Sequence, residues 1–101
     1  MSTILDSNNL IKKINSGSDE TIILDIGCGA NKKNSNHIGI DMLDISNVDI
    51  VGDVLTVLSE IQVSTVDHIY TSHFLEHITN LELYLQEFSR VLKPDGKVII
   101  K

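Results

Sequence analysis

The chain has 101 residues, is 42% hydrophobic and carries a formal net charge of −6, with a pI near 4.9. No basic stripe offers a footprint to nucleic acid or anionic lipid, and no apolar run approaches the roughly 20 residues of a membrane span. The one cysteine cannot close an intrachain disulfide, and the N-terminus has neither a basic region nor a long apolar run; both features predict a soluble, cytoplasmic protein, while length and composition predict one domain over residues 1–101.

The first predicted element is a weak helix over residues 4–15, where Ile4, Leu5, Leu10, Ile11 and Ile14 recur at helical spacing. Gly17 ends it. Thr21–Ile26 is a continuous apolar run closed by glycines, the pattern of a fully buried strand. A second strand is predicted over His37–Asp41 and a third over Val48–Gly52. Val54–Ile61 suits a short helix, Val66–Thr71 a fourth strand and Lys97–Lys101 a fifth. The strongest helix is Leu81–Leu92, with Leu81, Tyr84, Leu85, Phe88, Val91 and Leu92 on one face. Thr79 and Glu82 have the spacing of a capping box. Lys93-Pro94-Asp95-Gly96 then stops the helix and turns the chain into the fifth strand. Strands alternating with helices predict an α/β fold with a doubly wound, parallel sheet. The link from Ile26 to His37 is short for a full crossover helix, which leaves room for a loop or a single turn.

Gly27 and Gly29 directly follow the first strand. Glycine there permits positive φ and a close approach of ligand to backbone. In open α/β sheets that is where ligands bind. A dinucleotide fingerprint requires a third glycine where this chain has Lys32, which weakens a nicotinamide cofactor. Asp41 ends the second strand, where a carboxylate can accept bonds from both hydroxyls of a ribose. Asp53 ends the third and can accept from an adenine amino group while the Val54 N–H meets a ring nitrogen. Asp25, Asp41 and Asp53 at successive strand ends suit a ligand with a ribose, an adenine and a positive charge, and do not suit a phosphate. Asp and Gly are also ordinary turn residues. That reading explains any one of these positions better than it explains the set.

Taken together, these segments resemble the class I S-adenosylmethionine-dependent methyltransferases. Leu24-Asp25-Ile26-Gly27-Cys28-Gly29-Ala30-Asn31-Lys32 resembles their first motif and Ile38-Gly39-Ile40-Asp41 their second-strand acid. Asp49-Ile50-Val51-Gly52-Asp53-Val54 is similar to the adenine-binding segment, and residues 66–77 to the fourth-strand motif. Residues 87–97 resemble the helix and turn before the fifth strand.

The resemblance implies a Rossmann-like sheet of about five strands in the order 3-2-1-4-5. It implies S-adenosyl-L-methionine as cofactor, held by Asp25, Gly27, Cys28 and Gly29 at the methionine end. Asp41 and Met42 would hold the ribose, Asp53 and Val54 the adenine, with Ser72 beside the transferring methyl. His73 is the candidate general base. Asn31 stands where the family's first motif has its third glycine, which a cofactor without a pyrophosphate tolerates. The family fold continues past the fifth strand with a helix and an antiparallel strand pair. On this reading the chain lacks that pair, and its fifth strand is an exposed edge open to self-association.

The expected activity is methyl transfer to an unidentified small-molecule or protein acceptor, with nucleic acid disfavoured and no membrane partner. The alternative is a non-catalytic or partial cofactor-binding module. A minor alternative is a zinc hydrolase, because His73-Phe74-Leu75-Glu76-His77 matches H-x-x-E-H; no metal site is assigned. Cys28 reads as a small packing residue, and Lys32 and Lys33 as a solvated loop face.

Overall fold

The computed structural model describes residues 3–17, 19–28, 32, 36–72 and 78–100. Its elements are α1 (Leu10–Asn15), β1 (Ile23–Ile26), β2 (Ile38–Asp41), β3 (Ile50–Val51), α2 (Val54–Ser59), β4 (Val66–Thr71), α3 (Leu81–Val91) and β5 (Leu92–Ile100). The five strands form one sheet in the order β3-β2-β1-β4-β5, and every neighbouring pair is parallel. The expected α/β, Rossmann-like architecture is therefore the observed one.

The apolar run that predicted β1 places it at the centre of the sheet. Leu24 and Ile26 are fully buried there, with Ile40 and Ile69 on the adjoining strands. Ile14 of α1, Val54, Val57 and Leu58 of α2, and Tyr84, Phe88 and Val91 of α3 join them in one cluster. Burial of this cluster is the main favourable term holding the fold.

Gly39 of β2 is buried as well. A Cβ there would stand 2.7 Å from Cys28 Sγ and 2.9 Å from the Asn47 carbonyl oxygen. The two connections flanking β2 thus close onto the sheet where β2 has no side chain.

Arg90 locks α3 to α2. Its guanidinium donates to the Leu58 and Ile61 carbonyls at 2.7 and 2.8 Å, at and just beyond the C-terminal end of α2. It also grips Glu87 with two bonds of 2.7 and 3.0 Å. That pairing lowers the Glu87 pKa and raises that of Arg90. Asn15 ties α1 to the same corner, donating to the Glu60 carbonyl and accepting from the Gln62 N–H, both at 2.8 Å.

Several boundaries depart from the sequence expectation. The first helix starts at Leu10, because both oxygens of the Asp6 carboxylate take helix-start amides, those of Leu10 and Ile11, at 2.8 Å. The residues before it run extended instead. Leu5 pairs antiparallel with Val51 through bonds of 2.8 and 2.9 Å, covering part of the outer edge of β3.

The capping box does not form. Asn80 takes the N-cap position, so Glu82 falls one place early, and the Thr79 hydroxyl bonds to Asn80 Oδ1 at 2.8 Å. Leu81 and Leu85 are 44% and 42% exposed, so the buried face of α3 is narrower than its sequence suggests.

β5 begins directly after α3 and not at Lys97. Val66 pairs with Leu92 and His68 with Lys97, so Lys93–Gly96 is a bulge inside the strand. Asp67 sits opposite it, accepting from the Ile22 N–H at 2.6 Å and from Lys93 Nζ at 3.1 Å. The Ile22 bond above all, with Lys93 behind it, holds the Asp67 carboxyl below its usual range despite partial burial. β5 is an edge strand, with Ile99 and Ile100 about half exposed.

Candidate functional site

The chain runs outward from β1 to β2 and β3, then returns across the sheet to β4 beside β1. The carboxyl ends of β1 and β4 therefore flank the point where the winding reverses, the place where open α/β sheets leave a crevice. A cleft of about 600 Å3 lies there, lined by Gly27, Asp41, Met42, Asp53, Val54, Ser72, Ile78, Thr79, Asn80 and Tyr84. That is an ordinary size for a small-molecule site. A more open depression of about 670 Å3 beside α1 includes none of the strand-end residues.

Each wall has a local cause. Gly27 adopts φ 66°, the left-handed turn anticipated from sequence, and its N–H donates to the Ile40 carbonyl at 2.8 Å. The turn thereby leaves β1 tight against β2. Asp41 closes β2. Its Oδ1 accepts from the Leu43 N–H at 3.1 Å, and its carbonyl accepts from the Gly52 N–H at 2.9 Å. Asp53 is the N-cap of α2, where Oδ2 receives the Thr56 N–H at 3.1 Å and the Thr56 hydroxyl at 3.0 Å. Both bonds fall on one oxygen. The carboxylate is held rigid while Oδ1 stays available.

Two polar residues, Asp25 and Thr71, are the buried ones among the described residues, at 2% and 1% exposure. Both lie at the cleft end of the two central strands, one residue before Ile26 and Ser72 respectively. His37 Nδ1 is 3.9 Å from Asp25 Oδ2, outside hydrogen-bond reach. The Thr71 hydroxyl has no hydrogen-bond partner among the described residues. Buried polar groups concentrate at sites because each costs free energy that the rest of the fold must offset.

Of the residues singled out from sequence, Gly27, Asp41, Met42, Asp53, Val54 and Ser72 converge on the cleft. Asp25 and Cys28 are not in its lining. The Cys28 thiol points at Gly39, and burial, with Asp25 and Asp41 nearby, pushes its pKa up to about 11. A thiol kept protonated is a poor nucleophile, in keeping with a packing role. Gly29, His73 and the whole His73–His77 segment lie outside the described residues. Among the described residues no cluster of three or more His, Cys, Asp or Glu could hold a metal ion, and no helix is long and apolar enough to cross a membrane.

Lys32 is not a solvated loop residue. Its ammonium meets Asp49 Oδ2 at 2.9 Å with only 13% of the side chain exposed. Sequence reasoning also missed Ile78, Thr79, Asn80 and Tyr84, which supply the wall opposite the strand ends. Helical periodicity marks Tyr84 as buried but does not say against what, and Ile78, Thr79 and Asn80 precede that helix and share no such signal.

The lining has a distinctive charge. It holds two carboxylates and, among the described residues, no lysine, arginine or histidine. Such a cleft opposes a phosphate and favours a neutral or cationic ligand with hydroxyl and amino donors.

The family model described as a methyltransferase domain matches residues 24–100, a span that contains all the described cleft-lining residues. No curated protein matches the chain.

Proposed function

The chain belongs to the methyltransferase-domain family, and from that premise we propose that its cleft holds S-adenosylmethionine and serves methyl transfer. The observation that carries this reading is the pair Asp41 and Asp53 in a lining free of basic residues among those described. The cofactor is a sulfonium cation with two ribose hydroxyls and an exocyclic amine. Each of these features suits a carboxylate acceptor or a negative field.

In this reading Asp41 accepts from the ribose hydroxyls, with Met42 beside it. Asp53 Oδ1 accepts from the adenine amine. The Val54 N–H, in the first turn of α2 where amides have no intrahelical acceptor, meets a ring nitrogen. Gly27 brings bare backbone against the methionine end, and Ser72 lies at the reacting end. When bound, the cofactor supplies an already activated methyl group. The protein's task is then chiefly to fix alignment and exclude water, and proximity provides much of the rate. The buried Thr71 hydroxyl, without a hydrogen-bond partner among the described residues, lies next to this end of the cleft and fits a site completed by a ligand.

Titration calorimetry with S-adenosylmethionine and S-adenosylhomocysteine tests the proposal. The native chain is expected to bind both. Asp41→Ala should weaken binding by about 1–3 kcal/mol, the cost of stranding charged hydrogen bonds. A folded native chain that binds neither ligand refutes the assignment.

A further inference from the structure

Tyr84 has no role in the reading just given, and its position demands one. It is the largest side chain lining the cleft and the sole aromatic among the described lining residues. It is 8% exposed. Its ring packs edge-on against Phe88, with centroids 6.5 Å apart and planes at 70°, and Phe88 is itself 1% exposed. An aromatic wedged in this way moves little. It belongs to α3, which Arg90 fastens to α2, and α2 opens with Asp53 and Val54. The wall that Tyr84 forms is therefore fixed relative to those two residues.

We propose that Tyr84 is a specificity-determining residue: its anchored ring closes the cleft on the Asp53 side and limits the size of group that the exocyclic amine of a bound base can carry. The proposal rests on the reading that Asp53 and Val54 receive the adenine. It adds that the edge of the base is enclosed, so the pocket recognises an unsubstituted amine by shape as well as by hydrogen bond. Burial, and then the Asp53 carboxylate, raise the Tyr84 pKa, so the phenol stays neutral beside that acid. The apolar residues Val54 and Ile78 that share this lining are smaller, and shortening Tyr84 would open space and not merely exchange one wall for another.

The test compares S-adenosylhomocysteine with its N6-benzyl analogue by calorimetry on the native chain, Tyr84→Phe, Tyr84→Leu and Tyr84→Ala. Taking the ratio of the two affinities on one folded sample cancels any general loss of stability. Tyr84→Leu keeps an apolar side chain for the core should Tyr84→Ala fold poorly. The native chain should prefer the unsubstituted ligand by about tenfold or more, a modest steric discrimination for a pocket. Tyr84→Phe should keep that preference, and Tyr84→Leu and Tyr84→Ala should erase or reverse it. A native chain that accepts both ligands equally, or a preference that survives in folded Tyr84→Leu, overturns the proposal and leaves the cofactor assignment standing. A native chain that binds neither ligand overturns both.

Discussion

The Gly39 amide donates to Asp49 Oδ2 at 2.8 Å, and the Lys32 ammonium donates to the same oxygen at 2.9 Å. One carboxylate thus ties β2 to the connection on either side of it. Asp49→Ala strands the amide of the buried Gly39 and a largely buried ammonium together. We expect a loss of about 1–3 kcal/mol in stability, measured by urea denaturation. A loss within experimental error would show that these bonds are exchanged for water without cost.

Gly39 itself allows no side chain. The Cys28 sulfur and the Asn47 carbonyl lie within 3 Å of where its Cβ would be. Gly39→Ala should destabilise by about 1–3 kcal/mol, as overpacking does. Adding Cys28→Ala should restore only part of the loss, because the Asn47 oxygen belongs to the backbone and remains. Full recovery would mean that the sulfur is the whole obstacle.

Cys28 should be slow to react. With its pKa pushed up to about 11 from an ordinary value of 9.0, its thiolate fraction at pH 8 falls roughly a hundredfold, a factor of ten per unit. Alkylation by iodoacetamide should be slower by about that factor in the folded chain than in urea. Equal rates would contradict the buried environment.

Thr71→Val replaces a buried hydroxyl, unpartnered among the described residues, with a methyl group of the same shape. Such an exchange is close to neutral or stabilising, within about 1 kcal/mol. Unchanged stability accompanied by weakened binding of S-adenosylhomocysteine would show that the ligand completes the hydroxyl's bonding. A large loss of stability would mean that the hydroxyl has a partner in the fold after all.

Asp67 gives the chain a defined acid sensitivity. Its folded pKa is depressed by the Ile22 N–H and then by Lys93. A group depressed on folding contributes stability above its unfolded pKa and loses it as pH falls through the folded value. Asp67→Asn should therefore destabilise at pH 7, and the gap to the native chain should close as the pH drops below the ordinary carboxylate range. A gap independent of pH would assign the effect to packing and not to charge.

The sequence alone determined the strand succession, the left-handed turn at Gly27 and the acids at the ends of β2 and β3. These are local signals: an apolar β-branched run closed by glycine, and a carboxylate where a strand stops, can be read without knowing any partner. Even there, boundaries slipped where a distant group intervened, as Asp6 did at the start of α1 and the bulge opposite Asp67 did in β5. Tertiary structure alone decided which residues share the cleft. Helical spacing marked Tyr84 as buried, but only the packing of α3 on α2 brings it beside Asp53. The same packing brings Ile78 and Asn80 into the cleft lining, while the closing of the two connections beside β2 turns Lys32 from a loop charge into a largely buried partner of Asp49. Periodicity records how much a side chain avoids water. Its neighbours are fixed by the crossing of elements far apart in the chain, and no local pattern carries that.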